Sequence, residues 1–166
     1  MPNPPFDTVV SEHGESVLRV CRAVLGLGPD AEDAWSETFL AALAAYPTLS
    51  PDANIRGWLV TIAHHKAIDV HRGHARRAHP VAEVPERPST TGLPGSSDDA
   101  AEVRAALAAL PEKQRTVLAY RYIADLPYAD IAAILGGSVP AARRAAADGL
   151  AALRRQLHDP HHGGTT

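Results

Sequence analysis

Apolar residues recur at helical spacing along most of the chain. Over residues 6–26 they fall at Val9, Val10, Val17, Val20, Cys21 and Val24, and Gly26 and Gly28 close the run. Spacings of three and four put such residues on one face of a helix. Pro29 and Asp30 open the next helix, with Asp30 as the expected N-cap. Glu32 and Asp33 then stand in the first turn, where the helix dipole favours acids. Trp35, Phe39, Ala42, Leu43 and Tyr46 form its expected apolar stripe, and Pro47 and Pro51 stop it. A third helix is predicted from about Ile55 to Arg77, with Leu59, Ala63, Ala67 and Val70 as its apolar back.

The second half repeats the helical pattern in shorter pieces. Asp98 or Asp99 is the expected N-cap of a helix through Leu110. Pro111 starts another through about Ile123, and a short helix follows from Tyr128 to Leu135 with Ile131, Ile134 and Leu135 facing inward. Gly136-Gly137 makes a turn, Ser138 caps, and a last helix runs from Val139 to about Leu157. Pro140 falls in its first turn, where a missing N–H costs little. Between the halves the period is lost. From Pro85 to Ser97, 10 of 13 residues are Pro, Gly, Ser or Thr. This reads as a linker; the alternative is a long surface loop, uncommon above about 12–15 residues.

The pattern therefore predicts an all-α protein of two small helical domains, residues 5–79 and 100–157. A flexible linker, 80–99, joins them, and 158–166 form a polar, disordered tail. Composition agrees: of 166 residues 31 are Ala, whereas Val and Ile together number 18 and the aromatics 8. Such a chain favours helix over strand. One cysteine, Cys21, excludes an intramolecular disulfide. No apolar run reaches the ~18 residues of a bilayer span, and Met1 to Asp7 does not read as a secretory signal. A reducing cytoplasm is the expected compartment, with no membrane insertion.

Net charge is −3, but it is unevenly spread. Residues 1–53 carry 8 acids against Arg19 and Arg22, a net of −6. Residues 54–79 carry Arg56, Lys66, Arg72, Arg76 and Arg77 against Asp69, a net of +4. Local charge governs approach to a phosphate backbone more than the total does. On the third helix Trp58, His65, Asp69, Arg72 and Arg76 share one stripe opposite the apolar back. Basic groups contact phosphates and an aromatic can stack on an exposed base. A solvated charged face with Trp58 in the core would show the same pattern.

The segment from Tyr128 to Val139 reads as a helix-turn-helix, which projects the start of its second helix into a major groove. Ser138, Arg143 and Arg144 lie near that start, and Arg reads guanine edges or grips phosphates. Any helical hairpin with Gly at its corner has the same outline. The histidines predict no metal site: His65 and His71 are six apart, and no Cys stands nearby. No strained Gly-x-Ser-x-Gly elbow or phosphate-binding Gly loop is present. The chain is accordingly expected not to be an enzyme and to need no cofactor.

Four segments, in order, resemble one family. Asp30-Ala31-Glu32-Asp33-Ala34-Trp35-Ser36-Glu37-Thr38-Phe39 resembles DAEDLVQETF. Trp58-Leu59-Val60-Thr61-Ile62-Ala63-His64-His65-Lys66-Ala67-Ile68-Asp69 resembles WLYTIARNLAID. Leu110-Pro111-Glu112-Lys113-Gln114-Arg115, followed by Leu118, Arg121 and Tyr122, resembles LPEKQREVFLLRY. Leu126-Pro127-Tyr128-Ala129-Asp130-Ile131-Ala132 resembles LSYEEIA. These are the wording of the extracytoplasmic-function group of sigma-70 family sigma factors, which direct bacterial RNA polymerase to promoters. The resemblance covers about residues 6–78 and 101–157.

The resemblance implies partners and roles. Core RNA polymerase would dock at Glu32, Asp33 and Glu37. Promoter DNA would be met at the −10 element by Trp58, His65, Lys66, Arg72, Arg76 and Arg77, and at the −35 element by Ser138, Arg143 and Arg144. An anti-sigma factor, soluble or membrane-bound, is an implied further partner. A stand-alone helix-turn-helix regulator that recruits no polymerase is the alternative, and it would not need the acidic-aromatic segment 30–46. The chain departs from the family wording at Ala34-Trp35-Ser36, at His64-His65 and in the last helix. There Ala145 and Asp148 stand where basic residues are common, so fewer phosphate contacts are expected.

Overall fold

The computed structural model describes residues 2–77 and 98–158. Of the expected linker, 80–99, residues 80–97 lie outside them, including Pro85–Ser97, whereas Asp98 and Asp99 are helical; of the expected tail, His158 is helical and the rest lies outside. The chain divides into two compact units, Met1–Thr90 and Thr91–Thr166. Every regular element among the described residues is helical.

The first unit is three helices: α1, Phe6–Leu25; α2, Pro29–Ala45; and α3, Ile55–Arg77. Extended backbone at Pro5 precedes α1, and Gly26, at φ 90°, ends it by donating its N–H to the Arg22 carbonyl at 2.8 Å. That left-handed region suits glycine. α1 buries Val9, Val17, Val20, Cys21 and Val24. The three helices all pack on one another around Ala31, Ala34, Phe39 and Ala42 of α2 and Leu59 and Ala63 of α3.

Two expectations for α2 need correction. Its N-cap is Gly28, with Pro29 at the first helical position, so Asp30 stands in the first turn. Pro at that position gives up only an N–H that would have had no helical partner. Leu43 is not on the buried stripe but 52% exposed. The buried face runs through small residues, Ala31, Ala34, Thr38 and Ala42, which fit between α1 and α3 and leave Leu43 outside. The Thr38 hydroxyl, within this face, is satisfied by donating to the Ala34 carbonyl at 2.6 Å.

A short 3-10 turn, Tyr46–Thr48, follows α2. The Tyr46 hydroxyl donates to the Pro4 carbonyl, and the Asn3 side-chain amide donates to the Leu49 carbonyl at 2.9 Å. The start of the chain is thereby tied to the end of α2. Asn54 opens α3 by accepting the Gly57 N–H on its side-chain oxygen at 3.3 Å.

The second unit has four helices: α4, Asp98–Ala108; α5, Glu112–Leu118; α6, Tyr128–Leu135; and α7, Val139–His158. Since α4 begins at Asp98, Asp98 and Asp99 occupy its first turn rather than its cap. α5 does not continue regularly to Ile123. Its last turn, Ala119–Ile123, widens into a π turn, in which the Ala124 N–H reaches back five residues to the Ala119 carbonyl at 3.1 Å. Asp125 then turns the chain at φ 56°. Tyr120 is buried while Tyr122 is 59% exposed.

The helix-turn-helix forms as expected. Gly136 takes the left-handed φ of 74°, and the Gly137 N–H bonds the Ala132 carbonyl at 3.0 Å. Ser138 caps α7 by accepting the Ala141 N–H at 3.2 Å. Ile131 is fully buried, and Ile134 and Leu135 are half-buried. α7 packs on α4, α5 and α6 through Ala142, Ala145, Ala146 and Gly149.

Candidate functional site

The acidic row of α2 follows from which of its faces is buried. Glu32, Asp33 and Glu37 are all exposed, off the alanine face. Glu32 lies 3.8 Å from the Arg22 guanidinium of α1. Asp33 and Glu37 line a groove of about 250 Å³ between α2 and α3, together with Asp30, Asp69 and His74. The Asp30 carboxylate and the His74 ring nitrogen are 2.7 Å apart across its end. Four carboxylates therefore face one shallow groove, which favours a cationic visitor.

Leu40, one turn beyond Glu37 on α2, is 68% exposed, and Leu43 continues outward from it. Asp33, Glu37 and Leu40 are spaced i, i+4, i+7 and share a face. The sequence pattern did not single out Leu40. A leucine on an alanine-rich helix reads as core unless the packed face is known.

α3 presents a different surface. Leu59, Val60, Ala63 and Ala67 are buried, and Val70 is half-buried. His65, Asp69, Arg72 and Arg76 are exposed on the opposite side, and Lys66 is half-buried beside them. The Arg77 side chain lies outside the described part of the structure. Trp58 does not stand free at the head of this row. It is half-buried against the core, with its ring centroid 6.2 Å from that of Tyr46. His64 and His65 place their rings 6.2 Å apart.

In the second unit Ser138, Arg143 and Arg144 are exposed at the start of α7, although the Ser138 oxygen is already used in capping. Ala145 is buried and Asp148 exposed. At Ala145 the chain thus has a packing residue, and the expected loss of a phosphate contact there has no exposed position to act from. Arg143 and Arg121 both approach the ring of Tyr128, at 5.7 and 5.1 Å from its centroid. Sequence reasoning missed this cluster, because its members come from three separate elements.

Two groups are tuned by burial. Desolvation, helped by the nearby Arg56 charge, holds His13 below the usual histidine range against the opposing pull of Glu12. Burial pushes the Cys21 thiol up to about 11, far from a reactive thiolate at neutral pH. Among the described residues no group of three or more His, Cys, Asp or Glu side chains has metal-site geometry. No described helix is long and apolar enough to cross a membrane.

Known proteins match the chain in both units. Residues 9–77 match the family model of sigma-70 region 2, and residues 100–153 that of sigma-70 region 4. The chain is 32% identical over 151 residues to the ECF RNA polymerase sigma factor SigD of Mycobacterium tuberculosis, covering 85% of this chain and 71% of that one. It is 35% identical over 151 residues to the ECF RNA polymerase sigma factor ShbA of Streptomyces griseus, covering 82% and 79%. Among solved structures, the sigma factor RpoE in complex with the anti-sigma factor NepR from Bartonella quintana superposes with a TM-score of 0.77. It is 20% identical and covers 94% of this chain and 98% of that one, a likeness of fold. CnrH in complex with the cytosolic domain of CnrY gives a TM-score of 0.68 at 25% identity, covering 93% and 88%.

Proposed function

The chain belongs to the extracytoplasmic-function group of sigma-70 family sigma factors, and on that premise we propose how its surfaces divide the work of directing RNA polymerase to promoters. Residues 5–79 form the clamp-docking and −10 domain. Residues 100–157 form the −35 domain, whose first helix already opens at Asp98, and the chain between the two domains links them. Asp33 and Glu37, with Glu32, receive cationic groups of the polymerase clamp, and Leu40 adds an apolar anchor beside them. Charge steers the encounter and a central apolar contact holds it.

The α3 row carries the −10 contact. His65, Lys66, Arg72 and Arg76 neutralise phosphates, with Arg77 continuing the series. Trp58 contributes the exposed part of its indole. Arg143 and Arg144 enter the −35 major groove from the start of α7, and Ser138 sets the angle of that helix. The protein performs no catalysis of its own and works in the cytoplasm. The solved neighbour RpoE is bound by the anti-sigma factor NepR, and this chain is proposed to have such a partner as well.

The observation that carries the reading is the placement of opposite charges. An acidic row on α2 and a basic row on α3 are both exposed, in the unit that matches region 2. A regulator acting without polymerase has no use for the first row. The test is reconstitution of the full chain with bacterial core polymerase and transcription from genomic promoter fragments. Co-elution with core and initiation at defined start sites are expected. Specific duplex binding without co-elution would overturn the reading.

A further inference from the structure

We propose that Tyr128 is a positioning residue for promoter recognition, its ring holding the Arg143 guanidinium in place before DNA arrives. The inference rests on the reading of α7 as the −35 contact helix. Tyr128 is half-buried at the first position of α6, ahead of the turn that launches α7. The Arg143 guanidinium carbon lies 5.7 Å from its ring centroid, within the range at which a cation is attracted by an aromatic face. Arg143 is exposed, so without this contact its long side chain would sample many rotamers. Among the described residues no ring is found beside its neighbour Arg144.

The ring is itself braced. Arg121 stands 5.1 Å from the same centroid. Arg121 is fixed by donating to the Leu126 carbonyl at 3.2 Å, and its guanidinium lies 3.9 Å from the Asp125 carboxylate. The π turn at Ala119–Ile123 and the left-handed Asp125 bring Arg121 to this place, three elements meeting at one ring. Widened turns of this kind are frequent at functional sites, where they re-aim a side chain. Two cations on one ring repel each other, and Asp125 offsets part of that repulsion. Arg143 is therefore held while remaining free to leave the ring for a base edge or a phosphate. Ordering it beforehand lowers the entropy lost on binding.

The experiment uses holoenzyme made from core polymerase and the full chain. Its probes are promoter duplexes that the wild-type holoenzyme selects from a pool randomised over the upstream element. Tyr128→Leu is expected to weaken selected over unselected duplexes by about two- to fivefold, the size of an exposed cation–ring contact. Tyr128→Phe, which keeps the ring, should retain the preference. In an Arg143→Ala background, Tyr128→Leu should cost nothing further. In the free protein, the Arg143 Nε–H resonance should carry a ring-current shift that Tyr128→Leu removes and Tyr128→Phe keeps. An equal loss from Tyr128→Leu with and without Arg143 would make Tyr128 merely structural and overturn the proposal. So would an unmoved Arg143 resonance. If Arg143→Ala itself leaves selection unchanged, the −35 role of Arg143 falls, and the proposal with it. If Arg143→Ala impairs selection but Tyr128→Leu does not, the positioning role alone is refuted.

Discussion

Gly149 of α7 lies so close to Leu118 of α5 that a methyl group on its α-carbon would come within 2.8 Å of the Leu118 Cδ1. The same methyl would stand 3.4 Å from Gln114 Cβ, so the space is closed on two sides. Gly149→Ala should destabilise the second unit by about 1–2 kcal/mol, overpacking against the buried Leu118 outweighing the roughly 1 kcal/mol by which Ala favours a helix interior over Gly. Trp35 and Trp58 both lie in the first unit, so their fluorescence should report an unshifted transition while helical circular dichroism reports the loss. A Gly149→Ala protein with wild-type unfolding throughout would mean that Leu118 swings aside freely.

Asp33→Lys with Glu37→Lys should weaken binding to core polymerase at least about tenfold and leave the fold intact, because both side chains are exposed. Leu40→Ser should do the same at constant net charge, about 1–2 kcal/mol for a central apolar anchor. Affinity measured by titration of labelled core, beside a melting curve of each variant, separates the two effects. Unchanged affinity in both folded variants would remove α2 from the interface.

Arg72→Ala with Arg76→Ala should abolish promoter opening while polymerase binding persists. If each arginine meets one phosphate, the salt slope of holoenzyme–promoter affinity should fall by about 2. Permanganate footprinting of the melted segment and a salt titration provide the readouts. An unaltered slope would mean that both side chains remain in solvent in the complex.

His13 gives the first unit a pH dependence of known sign. Burial and the Arg56 charge hold its folded-state pKa below the usual value of 6.5. The unfolded chain therefore binds its proton more readily. The contribution of neutral His13 is fully present above about pH 6.5 and is lost as pH falls through the lower folded-state value. Its Nδ1 is buried without a hydrogen-bond partner among the described residues, so a proton there would find no acceptor. Denaturation followed by tryptophan fluorescence at pH 7.5 and pH 5.5 should show a larger fall for the wild type than for His13→Gln. Equal falls would assign the dependence to other groups.

Much of this architecture is legible in the sequence, for identifiable reasons. The apolar back of α3, Leu59, Ala63 and Ala67, is periodic enough to place its exposed row without coordinates. Gly136-Gly137-Ser138 marks the helix-turn-helix by local backbone chemistry alone, and the structure uses each of the three as expected. Local signals misled where two were equivalent: Gly28 and Asp30 are both acceptable caps, and Pro29 decides for Gly28 by occupying the first helical position. Leu43 misled because hydrophobicity points a leucine inward, whereas α2 is packed through its alanines. The Arg121–Tyr128–Arg143 cluster and the Asp30–His74 pair, the latter 44 residues apart, depend on tertiary packing that no periodicity encodes.

The alanine face of α2 also determines which errors the protein tolerates. Ala31 and Ala42 are wholly enclosed, and Ala34, Ala63 and Ala67 nearly so. Unlike Phe39 or Leu59 beside them, these positions cannot be damaged much by trimming, since an alanine has almost nothing to remove. They are damaged by growth. A single-nucleotide change from an alanine codon to valine, threonine, glutamate or aspartate adds bulk or charge where helices already touch. These alanine positions should therefore evolve under one-sided pressure, held in place by what cannot fit there, while the exposed rows of α2 and α3 are under no such packing constraint.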